Sequence, residues 1–90
     1  MSIRKQRSSE QAVGISVASE ITSIEIYTLR YWEREFPEFL NPIRTSGGQR
    51  RYRPADIQTV FLLKRLLREE MFSIAGARKA LKEHMRRSAA

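Results

Sequence analysis

YTLRYWEREF, Tyr27 to Phe36, is the stretch that decides the fold. At helical spacing it separates into two faces. Ile26, Leu29 and Phe36 fall at i, i+3 and i+10, with Trp32 beside them, and form an apolar stripe. Tyr27, Arg30, Tyr31 and Arg34 fall at i, i+3, i+4 and i+7 on the opposite side. That second face alternates aromatic rings with guanidinium groups, a chemistry suited to a phosphate backbone and to base edges. The pattern predicts a recognition helix over Glu25–Phe36. Glu25 sits in its first turn, where the helix dipole favours a negative charge. Pro37 ends it, lacking a backbone donor and disfavouring helical geometry in the residue before it.

Upstream, Gly14 and Ile15 lead into Ser16, the expected N-cap of a short helix over Val17–Thr22. Val17, Ala18 and Ile21 are its expected buried side, and Ile24 continues the stripe after a break at Ser23. So short a helix does not persist alone and must pack on its neighbour, which makes the pair a helix-turn-helix. Before it, Met1 to about Val13 carries Arg4, Lys5 and Arg7 without apolar periodicity, and reads as a flexible basic arm.

Downstream, Phe39 and Leu40 are expected to pin the chain to the core. Pro42–Arg44 and Gln49–Arg53 read as two short strands around a Thr45–Gly48 turn, with Gly47 and Gly48 supplying positive φ. Between Glu38 and Asp56 there is no acidic residue, while Arg44, Arg50, Arg51 and Arg53 are all positive. A basic hairpin after a helix-turn-helix is a wing. Within it, Arg50 and Tyr52 share one face and Arg51 points to the other. Pro54 suits the first position of a third helix and Asp56 its first turn. That helix is expected to run to about Glu70 on Ile57, Val60, Phe61, Leu63, Leu66 and Leu67. After a break at Met71-Phe72, Ser73 caps a fourth helix whose buried side is Ile74, Ala77, Leu81 and Met85. Lys79, Lys82, Arg86 and Arg87 make its other face basic, and Ser88–Ala90 are expected to fray. The fold class is mainly α: a winged helix-turn-helix over residues 14–87, with four helices and a small two-stranded antiparallel wing.

Composition bounds the partners. Ninety residues with 41% apolar content allow one small domain with a thin core. Seventeen Lys and Arg against ten Asp and Glu give +7, suited to nucleic acid or an anionic membrane surface. The absence of cysteine excludes disulfides and thiolate metal sites and fits a reducing compartment. The longest apolar run, Val60–Leu63, is far below a membrane span, and no apolar segment follows the basic N-terminus as in a signal peptide. The expectation is a soluble cytoplasmic protein. His84 stands alone, so no metal, cofactor or catalytic role is expected; Glu33 and Glu35 cannot face one point from a single helix.

Three motifs occur in order: Thr28-Leu29-Arg30-Tyr31-Trp32-Glu33, then Gly48-Gln49-Arg50-Arg51-Tyr52 with a helix starting near Asp56, then the Phe72-Ser73-Ile74 step. Together they resemble the DNA-binding domain of MerR-family transcriptional regulators, over about Ile15–Leu81. Three positions depart from the family's pattern. Trp32 replaces a usual Tyr and offers only an N–H donor. Ser23 and Met71 stand where glycine is usual. The resemblance implies sequence-specific binding to double-stranded promoter DNA, which such regulators bend and untwist as dimers so that RNA polymerase engages both promoter elements. Their dimer helix follows the fourth helix. This sequence stops at Ala90, so it is expected to be an excised domain, a homodimer only if the chain continues, and nucleoid-associated when bound.

For the site, Tyr27 and Thr28, nearest the helix N-terminus, are expected at base edges, and Arg30 and Tyr31 at phosphates, although an arginine can also read guanine. Arg34 is a further DNA-contact candidate on the same face. Arg50 is similar to the family's wing arginine, which touches DNA backbone, with Arg44 and Arg51 in support and Gly47 and Gly48 forming the wing turn. Ser16, Trp32 and Tyr52 are further candidates. Trp32 and Glu33 read as packing and an internal ion pair, and Tyr52 as a core or hinge residue. Two alternatives stay open: an excisionase-like architectural protein that bends DNA, and a basic adaptor for protein, RNA or acidic lipid.

Overall fold

In a computed structural model that describes residues 11–89, α1 (Ile15–Thr22) and α2 (Ile26–Glu35) are joined by a turn with several locks. Ser23 takes a left-handed conformation (φ 60°) and donates its N–H to Ser19 O at 2.8 Å. The Ser19 hydroxyl donates across the turn to Ile24 O at 2.6 Å. Lys64, 42 residues on, reaches back to donate to Thr22 O at 2.9 Å. The Ser23 and Lys64 donors serve carbonyls of the last turn of α1, which a helix end leaves open. The left-handed residue is one of the two positions where the related pattern has glycine.

α1 differs from expectation in two respects. Its N-cap is Gly14, not Ser16, and the helix begins at Ile15. Val17 and Ile21 are exposed, at 43% and 48%, whereas Ala18 and Thr22 are enclosed. The physical reason is that the threonine hydroxyl donates to Ala18 O at 2.8 Å, which removes the cost of burying it and lets the Ala18/Thr22 edge face the core. Val17 and Ile21 then fall outside.

α2 buries Leu29 and Trp32, followed by Phe36 and Leu40, and these pack with Ile24, Tyr52, Val60, Leu63, Leu66, Ala77 and Leu81 in one core. At the α2 C-terminus Arg78 donates to Glu35 O at 2.8 Å and lies over the Phe36 ring, 5.6 Å from its centroid. The wing is β1 (Ile43–Arg44) paired antiparallel with β2 (Arg50–Arg51), in register Ile43↔Arg51 and Arg44↔Arg50. Its turn uses one positive-φ glycine, Gly48 (φ 85°); Gly47 does not adopt one. Both strands are shorter than expected, because Tyr52 pairs with Val13 instead of continuing the ladder (Tyr52 N–H to Val13 O, 2.7 Å; Val13 N–H to Tyr52 O, 2.9 Å). Val13, the end of the expected arm, is therefore fixed to the wing; residues 1–10 of that arm lie outside the described residues.

α3 (Pro54–Lys64) starts at its proline, and Asp56 accepts the Arg53 N–H and Nε at 2.9 Å each. The expected run to about Glu70 is not a single α-helix. A π-helical turn, Arg65–Glu69, follows, and Met71 closes it in the left-handed region (φ 59°). Met71 is the second position where the related pattern has glycine. α4 (Ile74–Ala89) is capped by the Ser73 hydroxyl, which accepts the Gly76 N–H at 3.0 Å. It buries Ala77 and Leu81 and then runs past the core. Met85, expected inside, is therefore 51% exposed, and Ser88 and Ala89 remain helical where fraying is expected.

Candidate nucleic-acid interface

The outward side of α2 carries Tyr27, Arg30, Tyr31 and Arg34, all exposed, as the periodicity predicts. Tyr27 is more open than Tyr31, at 72% against 40%, and no packing among the described residues accounts for so large a ring in water. Arg34 stacks on Tyr31, 5.9 Å from the ring centroid, which braces the guanidinium without consuming its donors. Thr28 does not join this face. It is enclosed, and its hydroxyl donates to the Glu25 carboxylate at 3.1 Å. That carboxylate also accepts from Arg68 at 2.8 Å, and the Arg68 hydrogen bond is the main reason its pKa lies below the usual carboxylate value.

Trp32 and Tyr52 are core residues. Glu33 is the hub between α2 and the wing. Arg50 Nε lies 2.8 Å from both of its carboxylate oxygens, the Tyr52 hydroxyl donates to Oε2 at 2.5 Å, and Arg44 Nη2 stands 3.5 Å from Oε1. Burial, and next the hydrogen bond to Glu33, push the Tyr52 pKa well above the ordinary tyrosine value. Arg50 and Tyr52 thus share one face, as strand alternation predicts, while Arg51 is exposed on the other. Arg50 is a partly enclosed ion-pair member, not a free surface arginine.

Two clefts flank this junction. One lies between the start of α1, with Ser16 and Val17, and the wing residues Gln49, Arg50 and Arg51; the other lies between Glu33 and Arg34 of α2 and Asn41, Pro42 and Arg44. Arg30 and Arg50 line both and form the ridge between them. Of the candidates, Ser16, Arg30, Arg34, Arg44, Gly48, Arg50 and Arg51 line the two clefts. Tyr27 and Tyr31 are exposed on the same α2 face as Arg30 and Arg34, Gly47 sits exposed in the wing turn, and Thr28, Trp32 and Tyr52 are buried. Val17 and Gln49 belong to the cleft and were not singled out by sequence. Gln49 carried a signal, its place between the wing glycines and Arg50; Val17 read as core. Among the described residues no three His, Cys, Asp or Glu side chains gather as a metal site, and no described helix is long and apolar enough to cross a membrane.

A helix-turn-helix with a basic wing beside its second helix is a winged helix-turn-helix domain. The model of the MerR HTH family of regulatory proteins matches residues 14–84, and the chain belongs to that family of DNA-binding transcriptional regulators. It is also similar to the HTH-type transcriptional repressor CarH of Myxococcus xanthus, with 34% identity over 76 residues, covering 84% of this chain and 25% of the relative. The chain thus spans about a quarter of that relative's length.

Proposed function

We propose that the chain binds double-stranded promoter DNA sequence-specifically, with α2 in the major groove and the wing along the adjacent backbone or minor groove. The observation that carries this reading is the exposed Tyr27/Arg30/Tyr31/Arg34 face beside the wing arginines. Tyr27, at the N-terminal end of α2, reads base edges or thymine methyls. Arg30, Tyr31 and Arg34 hold phosphates, with Arg44 and Arg51 joining from the wing. Thr28, occupied by Glu25, is a support for the helix start and not a reader. The repressor named among its relatives supports control of transcription as the outcome. When dimeric, two such domains anchor both ends of a two-fold site and bend and untwist the DNA between them, which sets how RNA polymerase engages the promoter. The place of action is the cytoplasm, on the nucleoid.

Selection from a random duplex library tests the reading. Wild type is expected to enrich a defined half-site. Tyr27→Ala is expected to alter the bases preferred at the position it reads, by roughly 1–3 kcal/mol of discrimination. Arg51→Ala is expected to weaken binding to all duplexes alike. Enrichment of no sequence by wild type, or identical preferences in wild type and Tyr27→Ala, would contradict the assignment.

A further inference from the structure

We propose that Glu33 is a positioning residue for duplex binding: its carboxylate holds Arg50 by Nε so that the guanidinium's two Nη groups are presented to a DNA backbone phosphate. The inference rests on the duplex-binding reading and adds a role for an acidic residue within a basic face. Glu33 is nearly enclosed, with 10% of its side chain exposed, and Arg50 retains 20%. Its contacts to Arg50 Nε are 2.8 Å to each oxygen, and the Tyr52 hydroxyl at 2.5 Å fixes the carboxylate in turn. Engaging Nε leaves both Nη groups unspent, and among the described residues neither has a hydrogen-bond acceptor. Arg50 lines both clefts, as does Arg30.

A free arginine loses rotamer freedom when it clamps a phosphate, so one already immobilised in a fork geometry binds more tightly. Charge counting points the other way. Removing a negative charge from a basic face should strengthen attraction to DNA. The two accounts therefore give opposite signs for the same substitution.

Fluorescence anisotropy decides between them, with one duplex selected by wild type and one of random sequence, each titrated with salt. Glu33→Gln is expected to weaken binding to both duplexes about tenfold, the weight of one charge-assisted hydrogen bond. The slope of log affinity against log salt should become shallower by about 0.9, the share of one phosphate contact. Arg50→Lys keeps the charge, but its single ammonium is taken by Glu33, so it should lose a comparable amount. Glu33→Gln in an Arg50→Ala background should cause no further loss. Binding by Glu33→Gln as tight as wild type or tighter, with an unchanged or steeper slope, would overturn the proposal. If that variant does not fold, Arg50→Lys decides: wild-type affinity would overturn the proposal as well. Failure of wild type on every duplex is a separate outcome, which overturns the duplex-binding reading itself.

Discussion

Tyr52 shows how one side chain ties stability to pH. It is fully buried, and its hydroxyl donates to Glu33. Its folded pKa lies above its unfolded value, so the neutral phenol favours the folded state. That contribution is fully present below the unfolded value of about 10 and is lost as pH rises beyond it. Tyr52→Phe is expected to cost about 1–2 kcal/mol at neutral pH through the lost hydrogen bond, and to flatten the decline in stability above about pH 10. Urea denaturation at both pH values measures the two effects. Met71 makes the opposite case. It is exposed and lies at φ 59°, a conformation that costs a residue with a Cβ about 1–2 kcal/mol and glycine little. Met71→Gly gives up no packing and is expected to stabilise by roughly 0.5–1 kcal/mol in the same assay, after allowing for glycine's greater unfolded-state entropy. Met71→Ala is expected to show no such gain.

At the scale of elements, the two helices of the reading motif depend on the pair behind them. Lys64 serves the end of α1, Arg68 the carboxylate at the start of α2, and Arg78 the end of α2. Lys64→Met retains most of the stem and removes the donor to Thr22 O; it is expected to destabilise by about 1–2 kcal/mol, read from the urea midpoint. These long-range donors have no local signature, because their partners lie 42 or 43 residues away. What was legible in the sequence had a local cause. The two faces of α2 follow from helical period, its end from Pro37, the wing from Gly48 and the basic run, and the starts of α3 and α4 from Pro54, Asp56 and Ser73. What was not legible depended on tertiary choice. Val17 and Ile21 read as core, but α1 turns its Ala18/Thr22 edge inward. Met85 follows the stripe of Ile74, Ala77 and Leu81, yet it lies exposed along an open cleft shared with Phe61 and Leu62. The π-helical turn left no mark in apolar spacing. Thr28 looked available from its position and is taken by Glu25. Glu33's clasp of Arg50 crosses 17 residues of sequence and leaves no local mark.

For the whole molecule, the decisive property is where its charge lies. The chain carries +7, and the α2 face and wing bring Arg30, Arg34, Arg44, Arg50 and Arg51 around one surface, with Glu33 as the acid between them. A polyanion meeting that surface displaces its own counterions, so affinity must depend on salt in proportion to the phosphates contacted. Exposed aromatic rings on the same surface add contacts that salt does not screen, and these separate a reader of sequence from a general polyanion binder. A salt titration of binding to a selected duplex and to heparin, in parallel, tests this most directly. With about four to six phosphate contacts, the expected slope of log affinity against log salt is roughly −4 to −5 on the duplex, with the duplex preferred over heparin at every salt concentration. A slope near zero, or equal affinity for duplex and heparin, would contradict it.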